Sequence, residues 1–140
     1  MTRQNLQIQS KMLFFKDIRE FIDKFCEAHE LPGADRHKLT LVVEELFSNT
    51  VRHGHGGDSD APVDISLDLV GEKIRLEYQD TAPPYNSLAA AMRTDIESTI
   101  NERRVGGLGM ALTFALAQTA QYSYQENKNR LIITLPHSPV

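Results

Sequence analysis

A single cysteine, Cys26, among 140 residues leaves no partner for an internal disulfide. It falls in a helix-spaced apolar stretch, where a thiol serves as a small buried hydrophobe. Positive charge is also scarce: 15 Lys and Arg stand against 19 Asp and Glu, a formal net charge of -4. Apart from Arg103-Arg104 the basic residues are scattered, so the basic face expected of a nucleic-acid binder is missing. No apolar run approaches the roughly 20 residues of a membrane-spanning helix. The start of the chain lacks the basic residues and long apolar core of a signal peptide. These absences point to a cytoplasmic protein without direct nucleic-acid or membrane contact. Internal repeats and low-complexity linkers are absent too. The length suits one domain, residues 1–140, and is too short for two. Hydrophobic content of 41% and charged content of 24% are those of an ordinary globular chain.

Periodicity orders what is there. Leu6 to Ile8 alternates like a short strand. Phe14, Phe15, Ile18, Phe21, Ile22 and Phe25 recur at helical spacing, predicting an amphipathic helix from Leu13 to His29. Pro32-Gly33 breaks it, and a second helix is expected from about Ala34-Asp35 to Gly54, with Gly54 as a left-handed cap. Residues 55–62 read as a loop. Val63, Ile65, Leu67 and Leu69, then Ile74, Leu76 and Tyr78, alternate on either side of Gly71-Glu72, the pattern of a β-hairpin with one buried face. A helix is expected over Met110 to Ala120. Tyr122 to Glu126 and Arg130 to Leu135 then form a closing hairpin across Asn127-Lys-Asn129. Antiparallel hairpins with helices on one face make an α+β two-layer sandwich.

Inside the second helix, Glu45, Asn49 and His53 follow at i, i+4 and i+8, which stacks them along one side. Leu39, Val42, Val43, Leu46 and Thr50 form the apolar arc of that helix, and the polar stripe borders it. A carboxylate, an amide and an imidazole at the margin of a core suggest a pocket wall. Polar residues at a helix boundary without any function are the plainer explanation.

Two further segments bear on that choice. Gly106-Gly107-Leu108-Gly109 leads into the helix at Met110. Glycines there allow close backbone approach, and the N–H groups of a helix start suit an anion such as phosphate. The segment is not a P-loop, because no Gly-Lys-Ser/Thr follows, and not a Rossmann fingerprint, because no strand immediately precedes it. Asp80 ends an apolar strand just before Ala82-Pro83-Pro84. A carboxylate fixed there can accept from an exocyclic amine such as that of adenine, or can simply start a turn.

In combination these segments are more specific. Glu45-Leu-Phe-Ser-Asn49-x-x-x-His53-Gly54, then Asp80-x-x-x-Pro84-Tyr85-Asn86, then Arg103-x-x-Gly-Gly-Leu-Gly109 resembles the pattern of the GHKL ATPases, whose nucleotide-binding domain is the Bergerat fold. Within that group the chain is most similar to small bacterial anti-sigma-factor serine/threonine kinases, over roughly residues 10 to 136. The resemblance implies a mixed, mostly antiparallel sheet with helices on one face. It also implies ATP and Mg²⁺ as cofactors. Asn49 would ligate Mg²⁺ through its amide oxygen, and Glu45 would act as general base. Asp80 would bind the adenine amine, with Ala82 beside it. Gly106, Gly107, Leu108 and Gly109 would wrap the triphosphate, with Arg103 and Arg104 neutralising its charge. Residues 86–105 would form a lid, and His53 would have a structural role. The acceptor would be a Ser or Thr hydroxyl on an anti-anti-sigma-type protein. A sigma factor is the other partner implied, and a homodimer the assembly. The exposed side of the Leu13–His29 helix is a possible docking face.

Ala82 departs from the family pattern, which commonly has glycine there. A positive φ would strain the alanine; mere closeness to the base would cost modest affinity. Glu44 points about 100° away from Glu45 on the helical wheel, so the spacing to Asn49 favours Glu45. Four other readings compete. One is a nucleotide-sensing module that binds its partner without turnover. A second is a histidine-kinase catalytic domain, set against by the lack of a preceding helix pair with a phosphoacceptor histidine. A third is a structural adaptor, which leaves the motifs unexplained. The last is a metal site of His53, His55, Asp58 and Asp60, whose loop-like composition and spacing suit zinc poorly.

Overall fold

The computed structural model describes residues 3–85 and 116–136. Strand β1, Gln4–Gln9, opens the fold. A short 3-10 turn, Met12–Phe14, leads into helix α1, Phe15–Ala28. Helix α2, Gly33–Asn49, continues into a π-helical turn, Thr50–Gly54. Strands β2, Pro62–Val70, and β3, Lys73–Asp80, follow. Strands β4, Thr119–Gln125, and β5, Lys128–Pro136, close the described chain.

The strands form one sheet in the order β1-β2-β3-β5-β4, and every pairing is antiparallel. The side-chain period of two sorts the residues by face. Val63, Ile65 and Leu67, then Ile74, Leu76 and Tyr78, then Leu131, Ile133 and Leu135 are buried on one face. Against it lie Phe15, Ile18, Ile22, Phe25 and Cys26 of α1 and Leu39, Val42, Val43, Leu46 and Phe47 of α2. Helical and strand periods thus meet in one core, the expected α+β two-layer sandwich. No helix among the described residues is long and apolar enough to cross a membrane.

The opposite sheet face is polar, yet Glu77 on it is only 3% exposed. Arg3 Nη2 sits 2.9 Å from its Oε2, Arg130 Nε donates to Oε1 at 3.0 Å, and Arg75 Nη2 lies 3.6 Å away. Burial pushes the Glu77 carboxyl up, but the hydrogen bonds and charge of Arg130, with the charges of Arg3 and Arg75, outweigh it. The net direction is downward.

Several boundaries differ from the sequence expectation. Helix α1 ends in a Schellman motif: Glu30 takes φ +54°, Leu31 N–H donates to Cys26 O, and Glu30 N–H donates to Glu27 O. Pro32-Gly33 therefore follows a helix already stopped. Gly54 is not a left-handed cap, since its φ is not positive. Thr119 and Ala120, expected to end a helix, instead open β4, and Ala120 faces Ile133 across the ladder. The expected helix start at Met110 lies outside the described residues. The closing hairpin turns at Glu126-Asn127, both at positive φ as a type I′ turn requires, so Asn129 belongs to β5.

Candidate functional site

Glu45 and Asn49 lie one turn apart on α2, both half-buried, whereas Glu44 is exposed. Such an i, i+4 pair holds its Cβ atoms about 5–6 Å apart. Burial is the main force raising the Glu45 carboxyl above its ordinary value. The charge of Glu44 adds to it, and Arg52 and His53 pull only partly the other way. Neither the Glu45 carboxylate nor the Asn49 amide has a hydrogen-bond partner among the described residues. Asn49 thus carries a carbonyl oxygen unpaired among the described residues, a hard donor of the kind that Mg²⁺ takes. His53 is exposed and lies in the π-helical turn.

Immediately after Asn49, Thr50 is buried and turns inward. Its Oγ1 lies 2.7 Å from the Tyr78 hydroxyl, 2.8 Å from Asp80 Oδ2 and 3.0 Å from Leu46 O. A hydroxyl has one proton to give, and a carboxylate is the stronger acceptor. The consistent assignment is Tyr78 O–H donating to Thr50 and Thr50 O–H donating to Asp80. Burial pushes the Tyr78 phenol well above its ordinary value, and nearby Asp80 raises it further, so it stays a donor.

Asp80 Oδ1 receives the Ala82 N–H at 3.1 Å and Asn129 Nδ2 at 2.9 Å. The same Asn129 nitrogen reaches Ala82 O at 2.9 Å and Pro83 O at 3.1 Å. Its Oδ1 accepts the Tyr85 N–H at 3.1 Å and the Tyr122 hydroxyl. Asp80 pairs with Asn129 across β3 and β5, and Asn129 with Tyr124 across β5 and β4. Asp80 is thus the half-buried end of a row of polar and aromatic side chains. Burial also raises the Tyr122 phenol, against a hydrogen bond from Tyr85 and with the Asp80 and Tyr124 charges.

Ala82 is 3% exposed, and its φ is not positive, so alanine is not strained there. Its methyl faces Gly54: a Cβ added to Gly54 would come within 2.8 Å of it. That close approach is the use of glycine at position 54.

The expected site residues thus divide. Glu45, Asn49, Asp80 and Ala82 stand on connected elements. Arg103, Arg104, Gly106, Gly107, Leu108, Gly109 and the lid at 86–105 lie outside the described residues. Asp58 accepts the Met12 N–H at 3.1 Å and Asp60 pairs with Lys11 at 2.9 Å. Both carboxylates thus tie their loop to the chain ahead of α1. No group of three or more His, Cys, Asp or Glu among the described residues could hold a metal ion. Thr50, Tyr78 and Asn129 were not anticipated as site residues. For Thr50 and Tyr78 the signal is a polar group on a position that the periodicity assigns to the core; Asn129, read as part of a turn, gave none.

Comparison with known proteins agrees with this architecture. The family model for the histidine kinase-like ATPase domain matches residues 15–135. No curated protein matches the chain. Among solved structures, the RsbU and RsbW domains of Rv1364c from Mycobacterium tuberculosis superpose with a TM-score of 0.66 at 14% identity. That match covers 99% of this chain and 33% of the other, so this chain spans about a third of its length. The catalytic domain of histidine kinase ThkA, in a nucleotide-free form, gives a TM-score of 0.57 at 11% identity, covering 98% of this chain and 99% of that one. These likenesses concern the fold alone. With a family model matched over both helices and most of the sheet, the chain belongs to the histidine kinase-like ATPase domain family.

Proposed function

We propose that this protein is an ATP- and Mg²⁺-dependent serine/threonine protein kinase that works as an anti-sigma-type switch on an anti-anti-sigma partner. The observation that carries the reading is one continuous framework. Helix α2 holds Glu45 and Asn49 half-buried without hydrogen-bond partners among the described residues, and its next residue, Thr50, is hydrogen-bonded to Asp80. Base, metal ligand and nucleobase acceptor are therefore spaced by one rigid connection, and phosphoryl transfer depends mainly on such positioning.

In this reading Asp80 accepts the adenine amine, with Ala82 packed beside it. Asn49 ligates Mg²⁺, which when bound neutralises charge on the phosphates. Glu45 takes the proton of a partner Ser or Thr hydroxyl as its oxygen bonds to the γ-phosphorus and ADP departs. The raised carboxyl suits a base that must accept a proton near neutral pH. Gly106, Gly107, Leu108 and Gly109, with Arg103 and Arg104, hold the triphosphate, and residues 86–105 form its lid within a single domain of 1–140. The serine/threonine acceptor, the sigma-factor and anti-anti-sigma partners, a homodimer and a cytoplasmic location are extended from the sequence resemblance. Likeness in fold to the structure holding an RsbW domain is in keeping with them.

Calorimetric titration with ATP, with and without Mg²⁺, tests the site. Saturable, Mg²⁺-dependent binding is expected. Absence of binding at millimolar ATP would remove the nucleotide site and the kinase with it. Binding without phosphate transfer to any Ser- or Thr-bearing partner would leave a nucleotide-dependent binding module.

A further inference from the structure

We propose that Asn129 is a positioning residue for nucleobase recognition, and that it sets a preference for 6-aminopurines over 6-oxopurines. This inference rests on the nucleotide-binding reading above.

The argument is one of hydrogen-bond capacity. An ionised carboxylate oxygen has two lone pairs and no proton. Asp80 Oδ1 is filled by the Ala82 N–H and by Asn129 Nδ2. Asp80 Oδ2 receives Thr50 Oγ1 and, among the described residues, keeps one lone pair. A half-buried carboxylate with one open acceptor position suits a single N–H donor from outside. The exocyclic amine of a 6-aminopurine supplies that donor. A 6-oxopurine presents a carbonyl oxygen there, acceptor against acceptor.

Asn129 is what makes the arrangement rigid. Its amide is saturated at both ends: the nitrogen serves Asp80 and the Ala82 and Pro83 carbonyls, and the oxygen serves Tyr85 N–H and the Tyr122 hydroxyl. Through one side chain, the turn after Asp80 is fastened to β5 and β4. Asn129 is itself buried and fixed in register opposite Asp80. Without it, Oδ1 keeps only the Ala82 N–H, the carboxylate loses its tie to β5, and the direction of the open lone pair is less tightly fixed. A site loses discrimination when its polar group can turn away from the wrong partner.

The test compares ATP with ITP, which differ at purine position 6, by calorimetry on wild type and Asn129→Ala. Wild type is expected to bind ATP at least roughly tenfold more tightly than ITP, the scale of a hydrogen bond to a charged group. Asn129→Ala is expected to lose most of that ratio, because ATP alone used the fixed acceptor. A purely structural role would weaken both nucleotides alike. An unchanged ATP-to-ITP ratio in the variant therefore overturns the inference, while ATP binding by wild type keeps the nucleotide site. If wild type binds neither nucleotide, the nucleotide-binding reading falls first and this inference with it. Should Asn129→Ala fail to fold, Asn129→Asp keeps the volume and removes the N–H donors. The same loss of ratio is expected, and an unchanged ratio again overturns the inference.

Discussion

Gly54 and Ala82 face each other where the π-helical turn meets the turn after Asp80, and a Cβ on Gly54 would lie 2.8 Å from the alanine methyl. One of the two positions can carry a methyl group and the other cannot. Gly54→Ala should therefore overpack the contact and destabilise the protein by about 1–3 kcal/mol. Ala82→Gly, which costs less than about 1 kcal/mol on its own, should recover most of that loss when added. Urea denaturation of the two single variants and the double variant measures the coupling. Additive costs would show that the two residues do not compete for the same space.

Glu45 should be a liability to stability at neutral pH. Burial and Glu44 raise its folded carboxyl above the ordinary value, so the native state binds protons more readily than the unfolded state. Stability contributed by this group then falls as pH rises from the unfolded value through the folded one. Glu45→Gln should melt higher than wild type at pH 8, and the advantage should vanish below about pH 4, where both states are protonated. If the proposed kinase reading holds, the same variant keeps ATP binding and loses phosphoryl transfer by about 10²–10⁴-fold. Transfer equal to wild type would remove Glu45 as the base.

Glu44 offers a subtler control. It is exposed, yet its charge helps raise Glu45. If the proposed kinase reading holds, Glu44→Gln should move the acidic limb of the phosphorylation profile toward lower pH without altering stability much. An unmoved limb would mean that the charge of Glu44 does not reach the base through solvent.

On the other sheet face, Glu77 should behave in the opposite sense with pH. Its carboxyl lies below the ordinary value through Arg130, Arg3 and Arg75, in spite of its burial. Its stabilisation is present above the unfolded value and is lost as pH falls through the folded one. Glu77→Ala leaves three guanidinium groups facing one another. A full buried-pair loss would be larger, but the arginines are partly hydrated, so about 1–3 kcal/mol is expected. Thermal melts at pH 7 and pH 3 test this: the gap between variant and wild type should shrink at the lower pH.

The legible parts of the molecule were those with an uninterrupted period. Alternation in β2 and β3 and helical spacing in α1 and α2 placed nearly every core residue on its proper face. The motif residues Glu45, Asn49 and Asp80 followed from those elements. Local exceptions were harder. Glu30 takes a left-handed conformation usually left to glycine or asparagine, so the stop of α1 at Ala28, one residue before the expected His29, carried no glycine signal. The π-helical turn at Thr50–Gly54 carries no marker in composition. A hairpin turn of Glu126-Asn127 rather than a longer loop brought Asn129 into β5, where it meets Asp80. Thr50 counted as part of an apolar arc, and burial was correct, but only the fold reveals Tyr78 and Asp80 on its hydroxyl.

Thr50 joins the helix that carries Glu45 and Asn49 to the carboxylate of Asp80, which makes it the sharpest test of the framework. Thr50→Val keeps the shape and removes the hydroxyl. The Tyr78 hydroxyl is then buried without a partner, and Asp80 loses a donor. Leaving a buried donor unmatched costs about 1–3 kcal/mol. Removing the Tyr78 hydroxyl as well, in a Thr50→Val, Tyr78→Phe double variant, should restore much of that stability, because no orphaned donor remains. If Asp80 holds the nucleobase as proposed, nucleotide affinity should not recover, because Asp80 still lacks the bond that holds it to α2. Chemical denaturation reads the first quantity and calorimetric ATP titration the second. Recovery of both together would mean that Thr50 serves only to satisfy Tyr78, and that α2 and Asp80 keep their spacing without it.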